Sequence, residues 1–229
     1  EHQRDGMFGG RDRIAEGRVH HDDALCGGGG DVDVVDAHPG GVVVNDRLQT
    51  TNKRIFASGD VASPYQFTHA ADAMSRIVLQ NALFFGRKKA SDLVIPWCTY
   101  TDPEVAHVGL SREEARERGH DVETITIPLA DVARAVLESA GVGFLRLQVL
   151  EGKGRILGAT IVGYHAAELL AEFVLAMKYG IGLGKILGTI HVYPTLGESN
   201  RFLAGEWRKA RKPERLLGWV ERYHRWCRG

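Results

Sequence analysis

"GFLRLQVLEGKGRILGATIVG", residues 143–163, reads as two strands around a glycine-containing turn, the signature of a β-hairpin. The stretch that follows, "AAELLAEFVLAMKYG" (166–180), reads as a mostly buried helix. A hairpin beside a buried helix points to an α+β domain, and the neighbouring segments agree. "DVETITIPL" (121–129) alternates like a strand, and "LVIPWCTYTDPEVAHVGL" (93–110) is extended and interrupted by two prolines. "SREEARERG" (111–119) is a short helix, opened by a capping box of Ser111 and Glu114 and stopped at Gly119. "IGLGKILGTI" (181–190) is a shorter apolar piece, "SNRFLAGEWRKARK" (199–212) is helical as far as Pro213, and "ERLLGWVERYHRWCRG" (214–229) is a further helix.

Upstream the pattern differs. The first 30 residues hold eight glycines, ten charged residues and three histidines, with neither helical nor strand period. Residues 1–38 are therefore expected to be a flexible or disordered leader. "CGGGGD" (26–31) is not a phosphate loop, because no apolar strand precedes it and no lysine follows. Order is expected from about Gly40. Two strand-length runs, Val42–Val44 and Ile55–Ala57, flank a turn-rich segment and end at Gly59-Asp60. "FTHAADAMSRIVLQNALFFG" (67–86) is a helix with Gly86 as its expected terminator.

Bulk properties narrow the function. The 229 residues carry 29 basic and 29 acidic side chains, so no global attraction to nucleic acid or membrane follows. No segment matches the roughly 20 apolar residues of a bilayer-spanning helix, and no signal peptide is evident. Cys26, Cys98 and Cys227 are far apart, which excludes a CxxC motif and reads as free thiols in a cytoplasmic protein. No metal site is expected. "GIGLGKILG" (180–188) has one residue too few for a phosphate loop, and no GxGxxG, GxSxG or HExxH occurs. Glu113, Glu114, Glu168 and Glu172 read as solvated helix surface. From Gly205 onward eight Arg/Lys face three Asp/Glu, interleaved with Trp207, Trp219, Tyr223 and Trp226. The preferred reading of this tail is a helix packing its aromatics on the body. RNA or an anionic membrane surface is the alternative.

Two constellations carry chemistry. Asp60, at the expected end of a strand, is placed to accept hydrogen bonds from sugar or ribitol hydroxyls, with the next helix offering its amino terminus to a phosphate. In "TIHVYPTLGESN" (189–200), His191, Tyr193 and Glu198 stand where a polar loop enters a helix, with Glu198 a candidate acceptor for Tyr193 or His191.

The order and spacing of "GGVVVNDRLQTTNKRIFASGDVA", "FTHAADAMSRIVLQNAL", "PEVAHVGLSREEA", "RILGATIVGYHAAELLAE" and "IHVYPTLGE" resemble the carboxyl-terminal half of the FAD-dependent pyridine nucleotide–disulfide oxidoreductases, over about residues 40–204. The resemblance implies a remnant of an FAD-binding α/β domain (39–92), an α+β dimerisation domain (93–204) forming a homodimer, and a basic helical tail (205–229). It implies that Gly59 and Asp60 belong to a second FAD motif, with Phe67, Thr68 and His69 beside the flavin. "HVYPTLGE" looks like the family's HxHPTxxE, which gives Tyr193, Glu198 and His191 as catalytic candidates. Tyr193 replaces the second histidine, and a phenol is a poor base at neutral pH. That puts lipoamide- or glutathione-type chemistry in doubt and points to the mercuric-reductase-like branch, although Cys227 lacks a paired cysteine.

The implied activity is hydride transfer from NAD(P)H through FAD to an acceptor. A first FAD motif, a redox-active cysteine pair and a nicotinamide-binding domain are not found in the chain. The expectation is a truncated or frameshifted product with a partial FAD site, inactive alone. The alternative is a non-catalytic dimerisation or interaction module. No nucleic-acid partner and no integral membrane segment are expected.

Overall fold

Residues 143–163 form the predicted hairpin at the centre of a five-stranded antiparallel sheet. The structure is a computed structural model and describes residues 35–228. The chain divides into two units, Glu1–Leu93 and Val94–Gly229.

In the second unit the sheet order is β3 (Pro96–Thr99), β4 (Glu104–Gly109), β7 (Ile156–Gly163), β6 (Phe144–Leu150), β5 (Val122–Pro128). β6 and β7 pair Leu145 with Ile161 and Leu147 with Ala159, and the register shifts at Gln148/Val149. Leu145, Leu147, Val149, Ala159 and Ile161 are all buried in one core. Helix α4 (Ala166–Lys178) covers that core with Ala166, Leu169, Leu170, Phe173 and Ala176, a period of three to four residues that keeps one face apolar. α5 (Leu183–Gly188) and α6 (Glu198–Lys209) add Leu183, Ile186, Leu203, Ala204 and Trp207 to the same core. Leu157, which the register shift leaves unpaired between Ile156 and Gly158, is turned out of that core and packs with Leu110 and Ala115 of α2 (Arg112–Glu117). The α2 capping box forms as the sequence requires: the Ser111 amide donates to Glu114 at 2.8 Å, and the Glu114 amide donates to Ser111 Oγ at 3.1 Å. A one-turn helix, α3 (Ala133–Leu137), occupies a stretch that carries no periodic signal. This mixture of sheet and helices is the expected α+β class.

In the first unit, helix α1 (Thr68–Leu83) buries Ala70, Met74 and Ile77. It ends where Gly86 was expected to stop it, by a different conformation from a left-handed glycine. The left-handed residue is Phe85 at φ 52°, not Gly86, whose amide closes the turn on the Gln80 carbonyl at 2.9 Å. The expected strands are also shorter than read. β1 (Ala37–His38) pairs with β2 (Gly41–Val42), and Phe56 meets Gln49 in a single bridge. A strand needs a paired neighbour along its length. Ile55–Ala57 finds one bridge only, and Asp60 sits in a short 3-10 turn, Gly59–Val61, rather than at the end of a strand. β1 lies within the stretch expected to be a leader; residues 1–34 of that stretch, with Cys26, lie outside the described residues.

The last helix, α7 (Glu214–Cys227), corrects the preferred reading of the tail. Trp219 and Trp226 are exposed, whereas Trp207 on α6 is buried. The tail therefore packs one of its tryptophans, not three. Among the described residues no helix is long and apolar enough to cross a membrane.

Candidate functional site

The loop between α5 and α6 is held from below. His191 Nδ1 faces the Thr189 carbonyl at 3.1 Å, and His191 Nε2 faces the Glu172 carboxylate at 3.1 and 3.2 Å. Asn200 Nδ2, at the start of α6, donates to the same carboxylate at 2.9 Å and to the Leu169 carbonyl at 3.1 Å. Thr195 Oγ1 donates to the Val192 carbonyl at 2.7 Å, and the Tyr193–Pro194 peptide is cis. Helix α4, α6 and the loop are thus joined through one carboxylate. Burying part of a charge is costly unless it is paired and hydrogen-bonded, and Glu172 is both.

With His191 engaged on both ring nitrogens, its neighbours point outward. Ile190 is 96% exposed, Val192 75% and Tyr193 69%. Glu198 goes the other way: it is buried at the first turn of α6, and its Oε2 has no hydrogen-bond partner among the described residues. His191 and Tyr193 therefore lie on the loop and Glu198 at the start of α6, but their pairing differs from expectation. Glu172, not Glu198, stands opposite His191, and Glu198 Oε2 accepts from neither His191 nor Tyr193. The helical spacing explains this. Glu198 sits in the first turn of α6 with its side chain in the interior, while Tyr193 is on the outer rim of the loop.

Sequence reading took Glu172 for solvated helix surface and passed over Asn200; the structure half-buries Glu172 and pairs it with both His191 and Asn200. A signal was present: a carboxylate inside the apolar run "LLAEFVLA" demands a partner, and a polar loop downstream can supply it.

The first unit gathers the other predicted group. Gly59 takes φ 76°, a left-handed conformation that suits glycine, and an added Cβ would come 3.2 Å from the Ala71 Cβ. Asp60 follows it with an exposed carboxylate. Helix α1 begins at Thr68 with no side-chain cap from Phe67. The Phe67 and His69 rings stack at 5.4 Å with 7° between their planes. Phe67 is half-buried, and Thr68 and His69 are exposed.

Glu104, His165 and Glu168 bring one donor atom each within 4.8 Å of one another. Their contacts read as helix capping. Glu104 accepts the Ala167 amide at 3.2 Å, and His165 Nδ1 lies 3.5 Å from Glu168 on the exposed first turn of α4. Cys98 lies in the field of these carboxylates: partial burial first, then Glu104 and Glu168, push its thiol pKa up.

Comparison with known proteins gives a consistent result. Residues 95–202 match the pyridine nucleotide-disulphide oxidoreductase dimerisation domain. The chain is 34% identical over 165 residues to mercuric reductase of Staphylococcus aureus, covering 72% of this chain and 30% of that protein. It is 34% identical over 191 residues to mycothione reductase of Mycobacterium tuberculosis (strain CDC 1551 / Oshkosh), covering 81% and 41%. The HOCl-induced flavoprotein disulfide reductase RclA from Escherichia coli superposes with a TM-score of 0.69 at 29% identity, over 75% of this chain and 40% of that one. The chain thus spans less than half the length of these relatives. Through residues 95–202 the chain belongs to the pyridine nucleotide–disulphide oxidoreductases and carries their dimerisation domain.

Proposed function

We propose that the chain supplies the dimerisation domain and part of the flavin site of an NAD(P)H-dependent FAD reductase, active as a homodimer. FAD, when bound, passes the reducing equivalents of NAD(P)H to the acceptor. The residues of this chain bind and orient. Asp60 accepts hydrogen bonds from ribitol hydroxyls, the uncapped start of α1 offers amides, and Phe67, Thr68 and His69 border the flavin ring. The fit rests on the exposed carboxylate of Asp60 beside the left-handed Gly59 and on the uncapped start of α1.

The observation that carries the reading is the loop at 190–193. Glu172 and Asn200 fix it through His191, while Ile190, Val192 and Tyr193 project outward. A rigid loop with outward apolar side chains suits delivery across a dimer interface. Tyr193 there donates a hydrogen bond through its phenol. His191, bound on both nitrogens, positions the loop.

The test joins assembly to flavin binding. In analytical ultracentrifugation the 25.2 kDa chain is expected to sediment as a dimer, and Ile190→Asp is expected to release monomers. A wild-type monomer at micromolar concentration would refute the interface. After mixing with FAD and desalting, the isolated chain is expected to retain no stoichiometric flavin absorbance. Full retention would show that these 229 residues suffice for the site and would overturn the reading of a partial one. A stable dimer that neither binds flavin nor restores reductase activity to a complementing FAD-binding half would favour a non-catalytic dimerisation module.

A further inference from the structure

We propose that α7 is a membrane-surface helix that lies along the headgroup layer of an anionic phospholipid bilayer. At 100° per residue, Trp226, Trp219, Tyr223, Cys227 and Val220 fall within one arc of about 120°. The rings on this arc form a continuous strip. Trp219 stacks on Tyr223 at 6.0 Å, and Tyr223 meets Trp226 at 6.3 Å. The strip is open: Trp226 is 80% exposed, and Trp219 64%. No described side chain of α7 is buried.

Among the described residues the rest of the circumference is mostly charged, with Leu217 its exposed apolar exception and Glu214 and Glu221 its acidic members. Arg222 and His224 flank the aromatic strip, with Arg225 and Arg228 beyond. Arg225 pairs with Glu221 at 3.2 Å, so the net positive charge of α7 rests on its other arginines. From Gly205 onward the excess is eight basic over three acidic residues, although the whole chain is neutral. The charge is therefore local to the tail and complements an anionic surface.

The side-chain chemistry selects this occupant over others. Trp and Tyr combine an apolar body with a polar tip, which suits the boundary between acyl chains and headgroups. Arginines beside them lay their methylenes on the apolar layer and their heads among phosphates. A convex single helix offers no groove for stacked bases, so single-stranded RNA fits it poorly. At 14 residues and about 1.5 Å per residue, α7 lies on the bilayer and does not cross it.

The test uses the full chain and vesicles sedimented at low salt. Expected is co-sedimentation with phosphatidylcholine–phosphatidylglycerol vesicles, a blue shift of tryptophan emission, and little binding to phosphatidylcholine alone. Raising salt to about 1 M, where the screening length is about 3 Å, is expected to release most of the protein. The double variant Trp219→Ser/Trp226→Ser is expected to lose binding. Arg222→Gln/Arg225→Gln is expected to weaken it by about 25-fold, about fivefold per arginine. Retention of vesicle binding by both double variants would overturn the assignment to α7. So would a dimer whose tryptophan emission ignores anionic vesicles, which would show a second copy covering the strip. Preferential binding to polyuridylate over vesicles would overturn it in favour of RNA.

Discussion

Glu172 of α4 and His191 of the following loop meet at 3.1 Å, and Asn200 of α6 holds the same carboxylate at 2.9 Å. One side chain on a packed helix thereby sets the position of a loop whose other members reach solvent. If this is a network, its members are not additive. Glu172→Gln is expected to cost about 1–2 kcal/mol, and the cycle with His191→Ala should return a coupling of about 0.5–1.5 kcal/mol. Urea melts of the wild type, both single variants and the double variant measure it. Additivity within about 0.3 kcal/mol would mean that the contact contributes nothing.

The α2 cap gives a pH dependence with a defined sign. The Ser111 amide, donating to Glu114, holds its carboxyl pKa below the usual carboxylate value, with burial opposing. The folded value is thus lower than the unfolded one. The stabilisation is fully present above the unfolded value, at about pH 4.3, and is lost as pH falls through the folded one. Glu114 is exposed, so the effect is screened and small, about 0.5 kcal/mol at neutral pH. Glu114→Gln should lower the neutral-pH midpoint slightly and flatten the acid limb of the stability curve. Parallel acid limbs for the two proteins would refute it.

The β6–β7 turn separates packing from backbone strain. Gly152 and Gly154 both take left-handed φ, 73° and 65°. A Cβ on Gly152 meets nothing within 4 Å, whereas one on Gly154 would come 2.7 Å from Trp207 Cζ2. Gly152→Ala is expected to cost about 1 kcal/mol from strain alone. Gly154→Ala is expected to cost about 1–3 kcal/mol more, because the Trp207 ring must shift. Thermal melts with near-ultraviolet dichroism of Trp207 check both. Equal losses would show that the ring yields freely.

Cysteine reactivity provides a further check. Burial and the Glu104 and Glu168 carboxylates disfavour the Cys98 thiolate, and Cys227 is exposed. Iodoacetamide at neutral pH should modify Cys227 several-fold faster than Cys98, read by peptide mass spectrometry, because the thiolate is the nucleophile. Glu168→Gln should quicken Cys98 and leave Cys227 unchanged. Faster labelling of Cys98 in the wild type would contradict the electrostatic assignment.

Much of the second unit was legible from the sequence because local signals coincide with tertiary demands there. The hairpin at 143–163, the Ser111–Glu114 box and the apolar face of 166–178 each state their structure within a short window. The loop residues His191, Tyr193 and Glu198 were likewise visible as a group. Their pairing was not, because Glu172 lies nineteen positions from His191, and only the packing of α4 against α6 brings the carboxylate in. In the first unit Val42–Val44 and Ile55–Ala57 carry strand propensity, but strands are completed by neighbours, and little pairing reaches them. The stretch 214–229 was legible as a helix, and α7 spans Glu214–Cys227, yet an aromatic arc does not say what covers it.

The order β3-β4-β7-β6-β5 leaves β3 and β5 as the outer strands. β3 is four residues long and opens on Pro96; β5 closes on Pro128, and its Glu123 is clasped by Arg211, whose Nη1 donates at 3.0 Å. Short length, proline and a tethered charge are the means by which proteins stop sheets from recruiting further strands. The sheet therefore makes a poor template for a second sheet, which leaves helices and loops as the surfaces better suited to contact between copies of this domain. Such a contact can close on itself after two copies, which is how a dimerisation domain avoids growing into a fibre.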